Sequence, residues 1–176
     1  AVIAPIHGNS KGLVISCGLS PRYSDIDAGA MAVAAVDEAV RNAVCVGVDL
    51  EKIAGLDNFC WPDPIQSQKT PDGRFKLAQL VRANQELERM CRAYHLPCVS
   101  GKDSMKNDYG KGEEKISIPP TLLFSLFGNH PDVRMAATSD LKHEGERLYL
   151  FGHSSQELGA SEVAFHLFEK GEVSGI

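Results

Sequence analysis

Polar residues, among them Glu38 and Asn42, interrupt an otherwise small and apolar segment that runs from Ala28 to about Val46. Glu38 and Asn42 are four residues apart, so on a helix their side chains leave the same face, about 6 Å apart at Cβ. A carboxylate and an amide oxygen at this spacing can share one hard cation such as Mg2+, which commonly accompanies nucleotide phosphates. The alternative is an exposed Glu and Asn on a solvated helix face. The apolar surroundings favour the metal site, because an unpaired carboxylate would be costly there.

A second candidate site is the segment Gly101-Lys102-Asp103-Ser104, which is predicted to follow a strand directly. It combines a flexible backbone with a cation, an anion and a hydroxyl, and phosphate binding needs donors of this kind. The segment is not a P-loop, because the glycine spacing and the following helix are absent. Lys102, Asp103 and Ser104 are therefore candidate phosphate-binding residues, with a polar hairpin end as the alternative. Glu38 and Asn42 are expected to lie beside this strand end, so that the two groups bind one metal-bound polyphosphate together.

Four further polar residues are predicted at a strand end or a helix entrance. Asp57 and Asn58 are expected to terminate a strand, and Arg22 and Asp25 lie in a loop that enters a helix. Proteins of the α/β class place ligands at such positions, so all four are candidate nucleotide-binding residues. Capping and turn formation are the alternative for the aspartates, and Asp27 in particular is predicted to cap the helix.

Composition excludes several classes of protein. The net charge of −5 is mild and basic residues form no run, which argues against nucleic-acid binding. No apolar stretch approaches a membrane span and the start does not resemble a signal peptide, so a cytosolic protein is expected. Five cysteines without a Cys-x-x-Cys pair predict reduced thiols. The scattered histidines show no metal-ligand spacing.

Strands and helices alternate along the chain, which predicts an α/β fold. Strands are predicted at 1–6, 12–17, 52–56, 96–100, 121–128 and 147–152, with helices at about 28–46, 72–95 and 158–169 and a charged turn at 110–115. The helix at 72–95 has the clearest periodicity. Its outer face offers two charge pairs one turn apart, Arg82 with Glu86 and Glu88 with Arg92.

The polar texture of residues 131–146 predicts a domain boundary. Residues 1–135 would form the first unit, and residues 136–176 would begin a second one that stops too soon to complete a core. The missing initiator Met and the absence of an obvious stop suggest a piece of a longer protein. Any site in the chain is then expected to be partial.

Four segments in order along the chain resemble one family of enzymes. They are Ser20-Pro-Arg-Tyr-Ser-Asp-Ile-Asp27, Asp37-Glu-Ala-Val-Arg-Asn42, Leu56-Asp-Asn-Phe-Cys-Trp61 and Ser100-Gly-Lys-Asp-Ser-Met105. Together they are similar to phosphoribosylformylglycinamidine synthase, the ATP-dependent amidotransferase of purine biosynthesis. The resemblance extends along nearly all of the chain, and four motifs in the correct order are more specific than any one of them.

The resemblance implies the second of two tandem PurM-like halves, with a mixed sheet covered by helices. It implies that Glu38 and Asn42 are magnesium ligands at a bound ATP or ADP. A family aspartate that joins them would lie upstream of Ala1, and Leu150-Phe151-Gly152 stands where the family has Asp-Leu-Gly. The family's first unit pairs its sheet with that of its counterpart, so an isolated copy is expected to form a homodimer.

The reaction implied by the resemblance activates the amide oxygen of formylglycinamide ribonucleotide with ATP, after which glutamine-derived ammonia displaces phosphate. The implied partners are the rest of the synthase chain and a glutaminase domain or subunit, since no cysteine here has a nucleophile's setting. An isolated fragment is expected to be inactive. The alternatives are another PurM-like synthetase, such as aminoimidazole ribonucleotide synthetase, and a non-catalytic scaffold with an auxiliary nucleotide site.

Overall fold

The computed structural model describes residues 1–111 and 114–167, and it contains a mixed five-stranded sheet with two long helices over one face. The strands are β1 Val2–Ile3, β2 Gly12–Leu19, β3 Ile53–Cys60, β4 Cys98–Ser104, β5 Asp108–Lys111, β6 Glu114–Ser117 and β7 Thr121–His130. The helices are α1 Ala28–Val44, α2 Gly73–Ala93 and α3 Glu162–Leu167. The sheet has the order β1-β2-β7-β3-β4, and β5 and β6 form a separate hairpin. The predicted combination of a mixed sheet with helices is confirmed.

Strand β7 forms the centre of the sheet. Its continuous apolar run predicted a buried strand, and it pairs antiparallel with β2 on one side and with β3 on the other. Leu122, Phe124 and Leu126 alternate along it and are fully buried under the helices. The side chains between them lie on the opposite face and are half-buried. One face of the sheet is therefore core, while the other remains partly open.

Helix α1 lies directly on β2, as its small residues predicted. Ala32, Ala35 and Ala39 are fully buried, and Ser16 Oγ donates a hydrogen bond of 2.7 Å to the carbonyl oxygen of Ala39. A Cβ at Gly18 would lie 1.9 Å from the carbonyl oxygen of Ala35, so no other residue fits there without moving the helix. The close approach of helix and strand sets the position of every side chain on α1.

Asp27 caps α1, which confirms the prediction made for it. Its Oδ1 accepts hydrogen bonds from the backbone N–H groups of Gly29 at 2.7 Å and Ala30 at 3.0 Å. Its Oδ2 lies 2.6 Å from Nη2 of Arg82 on α2, which ties the two helices together. Burial raises the pKa of Asp27, but the hydrogen bonds from Ala30, Arg82 and Gly29 outweigh it and leave the pKa lowered.

The charge pairs predicted on the outer face of α2 are half correct. Glu88 and Arg92 form an ion pair as expected. The predicted pair of Arg82 with Glu86 is wrong, because Arg82 forms its ion pair with Asp27 before α1. Glu86 instead pairs with Arg89, at 2.6 Å. A partner on another helix has displaced a neighbour on the same helix.

Several predicted strand limits differ from the structure. The first strand covers only Val2–Ile3, since Pro5 has no N–H to donate and a turn follows it. Strand β3 does not end at Leu56 but continues to Cys60, and β4 begins at Cys98 and extends to Ser104. These two strands are parallel neighbours, so pairing between them keeps both extended. Of the charged turn predicted at 110–115, residues 110 and 111 end β5, residues 114 and 115 begin β6, and residues 112 and 113 fall outside the described part.

The strand predicted at 147–152 is wrong. Those residues have no regular structure, and four of their apolar side chains are exposed, namely Leu148, Tyr149, Leu150 and Phe151. Within the ranges given above, this apolar run has no neighbouring strand to pair with, so it does not form a strand. The helix predicted at 158–169 is observed from Glu162 to Leu167, and residues 168 and 169 lie outside the described range. No helix in the described part is long and apolar enough to cross a membrane.

Candidate functional site

The ends of three strands meet at one edge of the sheet. Strands β2 and β3 both run antiparallel to β7, and β4 runs parallel to β3, so β2, β3 and β4 share one direction. The segments that follow them, at 20–27, 61–72 and 105–107, therefore lie at the same edge. Ligands of α/β proteins bind outside the carboxyl ends of strands, so ligand binding is expected here, and this side of the sheet is called the candidate edge.

Hydrogen bonds around Trp61 hold the candidate edge together. The backbone N–H of Trp61 donates to the carbonyl oxygen of Ser104 at 2.8 Å, and Asn107 N–H donates to the carbonyl oxygen of Trp61 at 3.0 Å. The indole Nε1–H donates to the carbonyl oxygen of Lys76 on α2 at 2.9 Å. The ends of β3 and β4 and the first turn of α2 are thus held in fixed relation.

Lys102, Asp103 and Ser104 lie inside β4, which corrects the prediction that this segment follows a strand. Asn58 is paired in register with Lys102, and Cys60 with Ser104, on the neighbouring strand β3. Successive side chains of a strand point to opposite faces, so Lys102 and Ser104 leave the open face while Asp103 leaves the helix face. All three are at least partly exposed at the candidate edge.

Asp57 also lies inside β3 and does not terminate it, contrary to the prediction for Asp57 and Asn58. Its carboxylate covers Gly101, where an added Cβ would be 2.8 Å from both carboxylate oxygens. Burial, together with the nearby charge of Asp103, raises the pKa of Asp57. A carboxylate that is costly to ionise is typical of functional sites, and a bound cation would relieve the cost.

Asp57→Asn is expected to increase the stability of the fold at neutral pH. The pKa of Asp57 is raised in the folded state, so its protonated form adds to the free energy of unfolding at pH values below the unfolded pKa. This contribution is lost as pH rises through the folded pKa. The variant should therefore gain most over the wild type near pH 7 and little near pH 4. Urea unfolding at the two pH values measures this difference.

Asp49→Asn serves as the control of opposite sign. The side-chain hydrogen bond from Lys52 lowers the pKa of Asp49, so its ionised form stabilises the fold above its unfolded pKa. The control variant is expected to lose stability at neutral pH. A loss of stability in Asp57→Asn at neutral pH would contradict the expectation for Asp57.

Glu38 and Asn42 bind the free edge of β2. Glu38 Oε2 accepts a hydrogen bond of 2.8 Å from the backbone N–H of Leu19, and Asn42 Nδ2 donates one of 3.1 Å to the carbonyl oxygen of Cys17. These backbone groups belong to the part of β2 that lies beyond its pairing with β1. The two residues share one helix face as predicted, and the structure gives both of them a role in the fold.

The structure does not bring Glu38 and Asn42 together with Lys102 and Asp103. The former lie against β2 and the latter on β4, with β7 and β3 between them. Three steps between neighbouring strands amount to about 14 Å. Lys102 moreover projects from the face opposite to the helices. A single compact phosphate site formed by all four residues is not observed.

The residues near Glu38 fit a magnesium ion in part. A carboxylate and an amide are suitable oxygen ligands, and each hydrogen bond described above uses only one terminal atom of the side chain. Among the residues that the structure describes, no cluster of three or more His, Cys, Asp or Glu side chains could hold a metal ion. Further ligands would have to come from phosphate oxygens, water or residues outside this set.

Arg22 lies in the 3-10 turn after β2 and is covered by α3. Its guanidinium carbon lies 3.7 Å from the ring centroid of Phe165, and its Nη1 lies 3.0 Å from Glu162 Oε1 without an aligned hydrogen bond. Asp25 lines the same small cavity and is exposed. Phe165 and Glu162 were not predicted as neighbours of Arg22, because they lie about 140 residues from it along the chain and belong to no local pattern.

A group of charged side chains near the candidate edge was also not predicted from the sequence. Lys76 is nearly buried and contacts Asp72 Oδ2 at 3.0 Å and Ser117 Oγ at 3.1 Å. Lys115 donates to Thr70 Oγ1 at 2.7 Å. These bonds attach the β5–β6 hairpin to the start of α2. No local pattern signals this group, since its partners come from separate segments.

Comparison with known proteins places this architecture in a defined class. A mixed sheet with helices on one face is the arrangement of the PurM N-terminal-like α+β domains. The family model described as AIR synthase related protein, N-terminal domain, matches residues 1–120. The chain belongs to this family.

Two relatives of the chain are PurL subunits of phosphoribosylformylglycinamidine synthase. Phosphoribosylformylglycinamidine synthase subunit PurL of Deinococcus radiodurans is 33% identical over 180 residues, which covers 98% of this chain and 23% of that protein. The subunit of the same name from Anaeromyxobacter sp. is 34% identical over 152 residues, covering 86% of this chain and 18% of that protein. The resemblance to phosphoribosylformylglycinamidine synthase is confirmed. The chain spans about a fifth of the length of these relatives.

Solved structures support the same fold. PurL from T. maritima complexed with FGAR matches with a TM-score of 0.63 and 22% identity, covering 78% of this chain and 20% of that chain. The complex of that protein with ADP matches with a TM-score of 0.60 and 23% identity, covering 78% of this chain and 20% of the other. The described residues thus reproduce the fold of one part of a larger enzyme.

Proposed function

We propose that this chain is part of an ATP-dependent phosphoribosylformylglycinamidine synthase of purine biosynthesis. The single observation that carries the proposal is the 33% identity to a PurL subunit over 98% of the chain. The substrates would be formylglycinamide ribonucleotide, ATP and ammonia derived from glutamine. The rest of the synthase and a glutaminase domain or subunit would be its partners, in the cytosol. Alone, the chain would be inactive.

The proposed contribution of this chain is to bind and position a nucleotide. Mg2+ bound with the help of Glu38 and Asn42 would neutralise phosphate charge, and such electrostatic stabilisation is the main source of catalysis in phosphoryl transfer. Lys102 and Ser104 would supply donors to a phosphate at the ends of β3 and β4. Because β2 and β4 are three strand spacings apart, about 14 Å, the two groups would contact different parts of one nucleotide or two different ligands.

Calorimetry with nucleotides tests the proposal. The purified chain is titrated with Mg-ATP and Mg-ADP, and then with ADP in the presence of a chelator. Binding that requires magnesium supports a nucleotide site. A folded protein that binds neither nucleotide supports the scaffold alternative. Restoration of a purine auxotroph by the complete gene that encodes the chain tests the reaction itself.

The scaffold alternative is favoured by the open face of the sheet. Ile15 is 44% exposed on β2, and Leu123 and Phe127 on β7 are half-buried on the same face. Exposed apolar surface of this extent on a sheet is typical of a protein contact. We propose that a counterpart sheet, supplied by a second copy or by the other half of the synthase, covers this face.

Ile15→Lys is expected to prevent self-association through the sheet. A charge at the centre of an apolar contact must be desolvated, so the dimer dissociation constant should rise at least about tenfold. Sedimentation equilibrium measures the change. Val44→Lys is the matched control, because Val44 is similarly exposed at 48% but lies at the end of α1. Equal dissociation constants for the two variants would contradict the contact.

The division of the chain at residue 135 also remains a proposal. Residues 1–135 would form the N-terminal type of unit and residues 136–176 would begin the C-terminal type. Its support is that the family model ends at residue 120 and that the main sheet ends at His130. Limited proteolysis that cuts first between residues 136 and 160 would support this division.

A further inference from the structure

Two cysteine thiols face each other where α2 leads into β4. Cys91 lies in the last turn of α2, and Cys98 is the first residue of β4. Their sulfur atoms are 3.5 Å apart. The two residues line an open cleft of about 840 Å³ between α2 and the sheet, together with Asp57 and His95. The contact is not used by the proposed nucleotide chemistry.

The backbone around the pair is held on both sides. The N–H of Leu96 donates to the carbonyl oxygen of Cys91 at 2.8 Å, and the side chain of Leu96 is buried in the core. On the strand side, the N–H of Gly55 donates to the carbonyl oxygen of Pro97 at 2.8 Å. These contacts therefore hold the connection between the two cysteines, residues 92–97, against α2 and β3. Disulfide formation requires the two sulfur atoms to close from 3.5 Å to a bond length of about 2.05 Å.

We propose that Cys91 and Cys98 form a redox-modification site that closes to an intrachain disulfide when it meets a small-molecule disulfide. The sulfur of Cys98, as a thiolate, attacks one sulfur of the oxidant and releases one small thiolate. Cys91, as a thiolate, then attacks the sulfur of Cys98 and releases the second. Both protons end on the released thiols, and the oxidant takes up two electrons.

The order of attack follows from the exposure of the two thiols, and its pH dependence follows from their pKa values. Cys98 is exposed and Cys91 is half-buried, so an incoming disulfide reaches Cys98 first. Burial, and then the hydrogen bond to Cys98, raise the pKa of Cys91 to about 12. Burial also raises the pKa of Cys98, but the hydrogen bond from Cys91 opposes this. Closure should therefore be slow at neutral pH and faster in mild alkali. The charged or titratable groups facing the pair are Asp57 on β3, Glu88 and Arg92 on α2, and His95 in the turn.

The other three thiols provide the comparison within the same chain. Cys17 and Cys45 are exposed on β2 and after α1, and Cys60 is half-buried in β3 with its sulfur 3.9 Å from Asn58 Oδ1. Within residues 1–111 and 114–167, no second sulfur contact of this kind is found. Selective closure at Cys91 and Cys98 would therefore reflect their geometry and not general thiol exposure.

Peptide mapping after oxidation tests the proposal. The protein is incubated with oxidised glutathione at about pH 8, alkylated, and digested with trypsin without reduction. The expected product is peptide 90–92 linked to peptide 93–102, with two hydrogens lost, and dithiothreitol should separate them. Unlinked, alkylated 93–102 as the main product would overturn the proposal, as would links from Cys98 to other cysteines.

Three variants show whether the pair acts as described. Cys91→Ser should leave Cys98 trapped as a stable mixed disulfide with glutathione. Cys98→Ser should leave Cys91 mostly free, and Cys60→Ser should behave as the wild type. The oxidised wild type and oxidised Cys60→Ser should melt at a higher temperature than their reduced forms, since the crosslink restrains the unfolded chain. An equal yield of mixed disulfide at Cys98 in the wild type and in Cys91→Ser would overturn the proposal.

Discussion

Glu38→Gln is expected to remove most of the ATP-dependent activity of the synthase while leaving the fold intact. The amide oxygen of Gln can still accept the hydrogen bond from the backbone N–H of Leu19, so the free edge of β2 stays covered. What is lost is the negative charge that the proposed magnesium site needs. Residues that hydrogen-bond to metal ligands typically contribute about 10–100-fold to metal affinity or activity. A direct ligand should therefore contribute at least about 100-fold. The measurement is kcat/KM with formylglycinamide ribonucleotide, Mg-ATP and ammonia.

Two companion variants separate the metal role of Glu38 from its role in the fold. Glu38→Ala removes both the charge and the acceptor, so it should also lower the free energy of unfolding by about 1 kcal/mol. Glu88→Gln, on the exposed face of α2, should keep full activity. Wild-type activity in Glu38→Gln would show that the carboxylate acts only as a cap for Leu19.

Trp61→Ala is expected to cause a large loss of stability, because it removes the largest buried side chain of the core. The side chain is fully buried, packs edge to face against Phe59 at 5.9 Å between ring centroids, and donates its Nε1–H to Lys76. Truncation leaves a large cavity and removes the hydrogen bond to Lys76, which together cost about 3–5 kcal/mol. Urea unfolding should show a lower midpoint with an unchanged slope.

Two controls distinguish packing from general sensitivity. Trp61→Phe keeps most of the apolar volume and loses the hydrogen bond, so it should cost less than Trp61→Ala. Leu148→Ala should change the free energy of unfolding by no more than about 0.5 kcal/mol, because Leu148 is 82% exposed. Equal losses for Trp61→Ala and Leu148→Ala would contradict the position of Trp61 in the core.

The Trp61 variants also connect the core with the candidate edge. Backbone bonds join Trp61 to Ser104 and to Asn107, so loosening the indole should loosen the end of β4 as well. A fall in nucleotide affinity of Trp61→Phe without unfolding would show that coupling. The free energy of unfolding and the affinity should therefore be measured on the same samples.

Local sequence patterns were sufficient for the elements that depend on neighbours along the chain. The small residues of α1, the periodic apolar set of α2 and the apolar run of β7 each predicted the correct type of element. Asp27 was recognised as a cap because its partners, Gly29 and Ala30, are two and three residues away. The order of the four motifs also pointed to the correct family. For the elements and the cap, the information lies within a few turns or one strand, whereas the family follows from motifs spread along the chain.

The partners of the candidate site residues could not be predicted in the same way. The sequence suggested that Asp57 and Lys102 follow strands, yet the pairing of β3 with β4 places both inside strands. It suggested one site for Glu38 and Lys102, yet the insertion of β7 between β2 and β3 separates them. The apolar segment at 147–152 resembled a strand but has no edge to pair with.

The sequence by itself determined which segments are helical, which strand is most buried, and which family the chain resembles, because periodicity and motif order are properties of consecutive residues. Only the tertiary structure decided that Glu38 and Asn42 cover the edge of β2, that α3 covers Arg22, and that the thiols of Cys91 and Cys98 meet. The physical reason is that strand order and hydrogen-bond register join residues far apart in the chain. No pattern of neighbouring side chains encodes those distances.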